Sequence, residues 1–246
     1  MTPTPPVPAA CEPSPWTLSE DHSVATNAGT RLNLADAPTG LIVNEGVHLL
    51  GLRLPAGCRP VEAWPRGADL TAVYEPTDDR QLRITAMWRR GLTIPGSPAI
   101  RSWQMVLSSQ TSLLTSAAEL SVLSTIRGVH ATVEGHWAGE AVAWEPRGQQ
   151  MATCLRVRYR TTTGHAGVVM IAIHPDDPGA IDQRPLEDGT LQVCCRLFPS
   201  DVEKGVLLRS RVLVAVGPDD TARQAEGDWS LALLRRFADS PPVLTA

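Results

Sequence analysis

The chain has 246 residues, 43% apolar and 20% charged, which excludes a disordered or collagen-like polypeptide and suffices for a core without disulfide or metal staples. No apolar run approaches the ~18 residues that span a bilayer, so no membrane-spanning helix is expected. A net charge of −4 and a pI near 5.9 argue against a broad phosphate-binding surface and hence against nucleic acid as a partner.

Of the 22 basic residues only Lys204 is a lysine. Phe, Tyr and Asn are also scarce while Ala, Gly, Pro and Arg are plentiful, the drift of a GC-rich genome. Selection of arginine for bidentate anion recognition would need the arginines clustered on one surface, and in the sequence they are spread along the whole chain.

Residues 1–15 hold six prolines, which neither pair as a strand nor wind as a helix. They read as a disordered tail, or more weakly as a ligand for an SH3-like groove. Cys11 follows a small-residue stretch, but residues 1–10 lack the basic and apolar regions of a signal peptide. Five cysteines, with Cys194 and Cys195 adjacent and no C-x-x-C pair, read as reduced thiols of a cytoplasmic protein.

From Trp16 to the C-terminus a single domain, 16–246, is expected, dominated by period-two patterns. Residues 69–74 and 82–88 alternate on either side of the turn cluster at 76–80, which predicts a hairpin. In residues 151–160, Leu155, Val157 and Tyr159 share one face with Met151 and Thr153. Arg156, Arg158 and Arg160 share the other, predicting one wet face. Residues 168–173 are apolar on both sides, as in a central strand. Residues 190–198 and 206–216 complete the set, which predicts an all-β, antiparallel sandwich of ~14 strands. One helix, at about 221–238, follows from Ala222, Ala225, Trp229, Leu233 and Phe237, with Asp219 or Asp220 as its N-cap and Ser240-Pro241-Pro242 as its end.

The sequence also suggests an internal repeat. Leu70 and Tyr74 match Leu155 and Tyr159 at an offset of 85, Ala86 matches Ala172 at 86, and Gln104, Ser112 and Leu120 match Gln192, Ser200 and Leu208 at 88. Units 58–126 and 140–216 would then build one large sandwich.

Three constellations could carry chemistry. His130, Glu134 and His136 share a strand parity and offer imidazole and carboxylate ligands to a metal; the alternative is a solvated, turn-rich edge. His174 and Asp176 open an acidic loop that also holds Asp177, Asp182, Glu187 and Asp188. A histidine at a strand end can act as acid or base, although acidic loops are commonly just solvated. Asp201, Glu203 and Lys204 form either a tuned cluster or a capped turn closed by Gly205. Seven tryptophans exceed Phe and Tyr combined. Trp88, Trp103 and Trp137 are candidate stacking platforms for a sugar, core packing being the alternative. No cofactor motif is present: neither a Walker A loop, G-x-G-x-x-G, G-x-S-x-G nor H-E-x-x-H occurs.

The segments Met87-Trp88-Arg89, Ser109-Gln110-Thr111-Ser112-Leu113-Leu114, residues 198–206 and Pro241-Pro242-Val243-Leu244-Thr245 resemble an uncharacterised family of planctomycete-type bacterial β proteins. More distantly, a two-unit sandwich is similar to the galactose-mutarotase-like fold, which implies sugar binding or sugar chemistry by fold analogy alone. The reading favoured by the sequence is a non-catalytic binding module for a glycan, another small molecule or a protein partner. The alternative is a sugar-modifying enzyme of the mutarotase type using His174 and Asp176.

Overall fold

The computed structural model describes residues 16–27, 29–55, 58–94, 100–139, 141–144, 151–164, 166–219 and 229–241. The proline-rich tail, the first part of the predicted helix and the last residues, 242–246, lie outside them. The described chain opens with β1 (Thr17–Leu18), β2 (Val24–Asn27), β3 (Thr30–Asn33), β4 (Leu41–Asn44) and β5 (Val47–Arg53), with a 3-10 turn at Ala37–Thr39. There follow β6 (Pro60–Arg66), β7 (Asp69–Tyr74), β8 (Leu82–Arg90), β9 (Arg101–Thr111), β10 (Thr115–Ala117) and β11 (Leu120–Arg127). The next strands are β12 (Val129–Ala138), β13 (Ala141–Ala143), β14 (Cys154–Arg160) and β15 (Ala166–Ile173). Finally come β16 (Gly179–Pro185), β17 (Thr190–Leu197), β18 (Asp201–Glu203), β19 (Leu208–Gly217) and the helix α1 (Trp229–Ala238).

These strands make two antiparallel sheets, as the alternation predicts. An eight-stranded sheet runs β1-β2-β3-β4-β5-β11-β17-β16, and a nine-stranded sheet runs β13-β12-β14-β15-β19-β9-β8-β7-β6. The ribbon β10-β18 sits where the chain crosses between them. The strands beyond the expected number are mostly short ones near the N-terminus, where polar turns leave only four residues of alternation.

Inward residues of both sheets form one core. Leu155, Val157 and Tyr159 of β14 face it, as do Val169 and Ile171 of β15. Polar bonds tie the layers together, among them Trp88 Nε1 donating to the Leu50 carbonyl (3.1 Å), Tyr74 Oη to the Leu34 carbonyl (3.3 Å), and Asn44 Nδ2 to Tyr159 Oη (3.2 Å). The first depends on a bulge in β5, where the pairing with β11 shifts between Leu123 and Thr125. There Leu50 adopts φ 55°, its N–H bonds the Ser124 hydroxyl, and its carbonyl serves the indole instead of the ladder. Gly51 follows because a Cβ there would lie 2.1 Å from the Pro38 carbonyl oxygen.

β15 is central, between β14 and β19, and apolar on both faces because both are covered. Its outward Val168, Met170 and Ala172 pack, with Leu213 and Ala215 of β19, under Trp229, Leu233, Leu234 and Phe237 of α1. The helix ends where the Ser240 hydroxyl bonds the Phe237 carbonyl (2.6 Å). Arg235 and Arg236 occupy its last turn, a favourable place for cations, and Arg236 also donates to the Thr93 carbonyl. The expected wet face of β14 is partly covered too, since the Arg156 guanidinium lies 4.4 Å from the Trp144 ring centre.

The two crossings share one register. Leu208 stands opposite Ser109 where β19 pairs β9, and Leu120 stands opposite Leu197 where β11 pairs β17. In the ribbon Thr115 faces Glu203. Around the two tyrosines the neighbours differ: β8 adjoins β9, whereas β15 adjoins β19. Among the described residues no helix is long and apolar enough to cross a membrane.

Candidate ligand-binding groove

The site is built by strand parity at the β6 end of the nine-stranded sheet. In β6 Ala63 points inward, leaving Glu62, Trp64 and Arg66 outward; in β7 the inward set is Leu70, Ala72 and Tyr74, leaving Asp69, Thr71 and Val73. In β8 Ile84, Ala86 and Trp88 are in the core, and Arg83, Thr85, Met87 and Arg89 are outside. β9 adds Val106, Ser108 and Gln110, and the entry to β19 adds Leu207 and Arg209. On the twisted sheet these outward side chains line a groove of about 770 Å³.

The register arranges them in rows across the strands. Trp64, Thr71, Met87 and Val106 are consecutive cross-strand partners and form the middle row. Trp64 is 40% exposed, whereas Val106 is buried in the floor. One flanking row is Arg66, Asp69 and Arg89. Arg89 Nη2 donates to Asp69 Oδ2 at 2.8 Å, Arg89 Nε carries no bond, and Arg66 makes no ion pair among the described residues. The other flanking row is Glu62, Val73, Thr85, Ser108 and Arg209. Arg209 Nε reaches the Ser108 hydroxyl at 3.3 Å. Arg83, at the groove's end, is paired with Glu75 at 3.3 Å. The groove thus offers an aromatic and thioether strip, hydroxyls between, and guanidinium and carboxylate groups on both sides.

The tryptophans singled out from the sequence lie elsewhere. Trp88 and Trp103 are buried, as expected of side chains sharing a strand face with Ile84 and Ala86, and with Met105 and Leu107. Trp137 is half-buried and donates from Nε1 to the Ile173 carbonyl at 2.7 Å.

The candidate metal ligands are not brought together. His130 occupies a bulge, since the pairing of β12 with β14 shifts between Val129 and Ala131, and it is exposed. Glu134 Oε1 accepts from Gln183 Nε2 at 2.5 Å. His136 is buried opposite Ala143. Among the described residues no three metal-binding side chains converge.

His174 and Asp176 do approach, with Nδ1 and Oδ2 3.6 Å apart, but His174 is 1% exposed. Its ring stands edge-on to Phe237 of α1, 5.0 Å between centres. Nδ1 accepts from Arg211 Nη2 (2.8 Å) and from the Asp176 N–H (3.2 Å), so in the neutral ring the proton sits on the buried Nε2. Burial lowers the His174 pKa, and the Arg211 guanidinium lowers it further. The Asp177 and Asp176 carboxylates and the Phe237 carbonyl oppose the shift. Arg211 is held in turn by Asp177 (Nε to Oδ2, 3.2 Å) and by the Ser240 carbonyl (3.1 Å). The cluster clamps the end of α1 onto β19.

Two other acidic residues of this region have partners: Asp182 pairs with Arg196 at 2.6 Å, and Asp188 accepts from the Thr190 N–H at 3.0 Å. In the β18–β19 link Gly205 takes φ 84°, the left-handed conformation expected of it, and the Lys204 N–H bonds the Leu114 carbonyl.

Trp64, like Trp88, Trp103, Trp137 and Trp144, lies in or near a strand by sequence, but it is not among the nominated platforms, although a signal for it exists. Trp64 alternates with Glu62 and Arg66, polar neighbours that mark its face as solvent. No protein-family model matches the chain, and no curated protein is significantly similar to it.

Proposed function

We propose that the protein is a non-catalytic carbohydrate-binding module whose ligand lies in the groove over β6–β9. The observation that carries this reading is the exposed Trp64, set in a concave sheet face between rows of hydroxyl, carboxylate and guanidinium groups. An indole face takes the apolar side of a sugar ring, and the flanking polar groups take its hydroxyls. The enzyme alternative has less support, because His174 is closed off beneath α1 while its partner Asp176 is exposed, and a histidine acting as general acid or base must reach its substrate. A glycan array probed with the wild-type protein and with Trp64→Ala tests the reading. Binding that disappears in the variant supports it. A silent array, or binding indifferent to Trp64, overturns it in favour of a protein partner.

We infer in addition that β9–β11 and β17–β19 are two copies of one unit. Leu120 and Leu208, Ser109 and Leu197, and Thr115 and Glu203 are each 88 positions apart, the same offset that relates Gln104 to Gln192. The duplicated unit would supply the crossing between sheets, while β6 and β7, which carry Trp64, extend the nine-stranded sheet beyond it.

A further inference from the structure

We infer that the groove's ligand is an anionic saccharide, a chain of uronic-acid residues, with a sugar ring on Trp64 and its carboxylate between Arg66 and Arg89. This rests on the carbohydrate reading above and names its substrate class. Four arginines far apart in sequence meet here. Strand order brings Arg66, Arg83, Arg89 and Arg209 to one face, against the carboxylates of Glu62 and Asp69. The groove lining carries four guanidinium groups and two carboxylates, in a chain whose net charge is −4.

The row Arg66–Asp69–Arg89 places one carboxylate between two guanidinium groups on strands ~4.8 Å apart. Asp69 accepts one bond from Arg89, so both arginines keep donors free for a second carboxylate. Guanidinium groups bind carboxylates in a bidentate fork. That row lies two residues along the strands from Trp64, ~6.7 Å, the reach of a carboxyl group exocyclic to a ring stacked on the indole. Glu62 and Asp69 fit a polyhydroxylated chain, whose hydroxyls donate to them. They disfavour a nucleic acid, which would bring a phosphate at every step along the same surface.

The full-length protein is titrated, by tryptophan fluorescence and calorimetry at low salt, with hexamers of galacturonate, glucuronate and mannuronate. Methyl-esterified forms of the same hexamers, which lose only the charge, and oligo-dT serve as comparisons. At least one free-acid hexamer is expected to bind about tenfold tighter than its ester, with the difference shrinking as salt rises. Trp64→Ala should abolish binding of both forms. Arg66→Gln should remove the preference and leave the affinity for the ester unchanged. Acid and ester bound equally, with Trp64 still required, would overturn the anionic assignment and leave the carbohydrate reading standing. No binding of any hexamer would overturn the assignment, and the array then decides the broader reading. Oligo-dT bound as tightly as the best hexamer would overturn both. Unchanged thermal midpoints for both variants exclude misfolding, since Arg66 and Trp64 are exposed.

Discussion

The outer face of the nine-stranded sheet is finished in two different ways. Over β15 and the adjoining parts of β14 and β19 the outward residues beneath α1 are Cys154, Val168, Met170, Ala172, Leu213 and Ala215, and α1 lies across them. Over β6 to β9 the outward residues mix charged, hydroxylated and amide side chains with Trp64, Val73, Met87 and Val106, and they line a groove. Both halves obey the same alternation, and their inward residues belong to one core. What differs is the chemistry of every second residue. An apolar outward row is stable only when covered, at roughly 1.5–3 kcal/mol for each large side chain buried, and α1 supplies that cover. A mixed row needs none and stays accessible. The covered half therefore carries stability and the open half carries the surface available to a ligand.

Matched ion pairs give the sharpest way to break that comparison. Arg211 and Asp177 on the covered side have side chains 5% and 11% exposed, whereas Arg89 and Asp69 in the groove are both 27% exposed. Arg211→Ala leaves the buried Asp177 carboxylate without its guanidinium partner and His174 Nδ1 with the Asp176 N–H alone, and should cost about 3–5 kcal/mol. Arg89→Ala should cost at most ~1 kcal/mol. Urea denaturation midpoints measure both, and similar losses would erase the distinction between the halves.

The helix itself is the next test. Leu233→Ala removes a fully buried side chain from the α1 interface and should cost about 2–5 kcal/mol. Amide exchange should then accelerate first at 229–238 and under it at β15, leaving β7 and β8 protected. Uniform acceleration across the sheet would mean that the two halves do not differ in the stability they derive from α1.

Much of this division was already present in the alternation. Residues 168–173, apolar on both faces, announce a strand covered twice, and Leu233 and Phe237 announce the helix that covers it. Leu155, Val157 and Tyr159 against Arg156 and Arg158 give the sheet its inner and outer sides. The groove was not visible in this way, because it is assembled from five strands and its charged rows join residues as far apart as Arg66 and Arg209. Counting tryptophans pointed to Trp88 and Trp103, whose strand neighbours are apolar and which are therefore core residues. Parity with Glu62 and Arg66 singles out Trp64. His174 shows the opposite limit: its place at a strand end suggested access, but a helix from the far end of the chain closes it.

The pH dependence just below neutrality should carry a contribution from the covered half. Burial and Arg211 lower the His174 pKa below its usual 6.5, so near and below that pH the unfolded chain binds a proton that the folded chain does not. Stability therefore falls as pH drops below about 6.5, until the folded-state pKa is reached. His48, lowered chiefly by burial and then by Arg127, acts in the same direction. His174→Asn keeps an acceptor for Arg211 and cannot titrate, so its plot of stability against pH should be flatter between 6.5 and 5 than that of the wild type. An unchanged slope would place the titration elsewhere.

The smallest expected effect on stability is at Trp64, and its smallness is what makes it informative. Trp64 is 40% exposed and sits on β6, the edge strand of its sheet. Its face is shared with polar neighbours, so truncation opens no sealed cavity. Trp64→Ala should change unfolding free energy by no more than ~0.5 kcal/mol, the ordinary range for a surface substitution. The buried Trp88, whose indole bonds the Leu50 carbonyl across the two layers, should lose about 3–5 kcal/mol on the same substitution. Acrylamide quenching supplies an independent readout: removing Trp64 should lower the accessible fraction of the emission while the buried residues keep theirs. A large loss of stability at Trp64 would mean that the indole serves the fold and is not held ready for a ligand. An intact fold with ligand binding abolished would separate the two halves of the sheet by their roles.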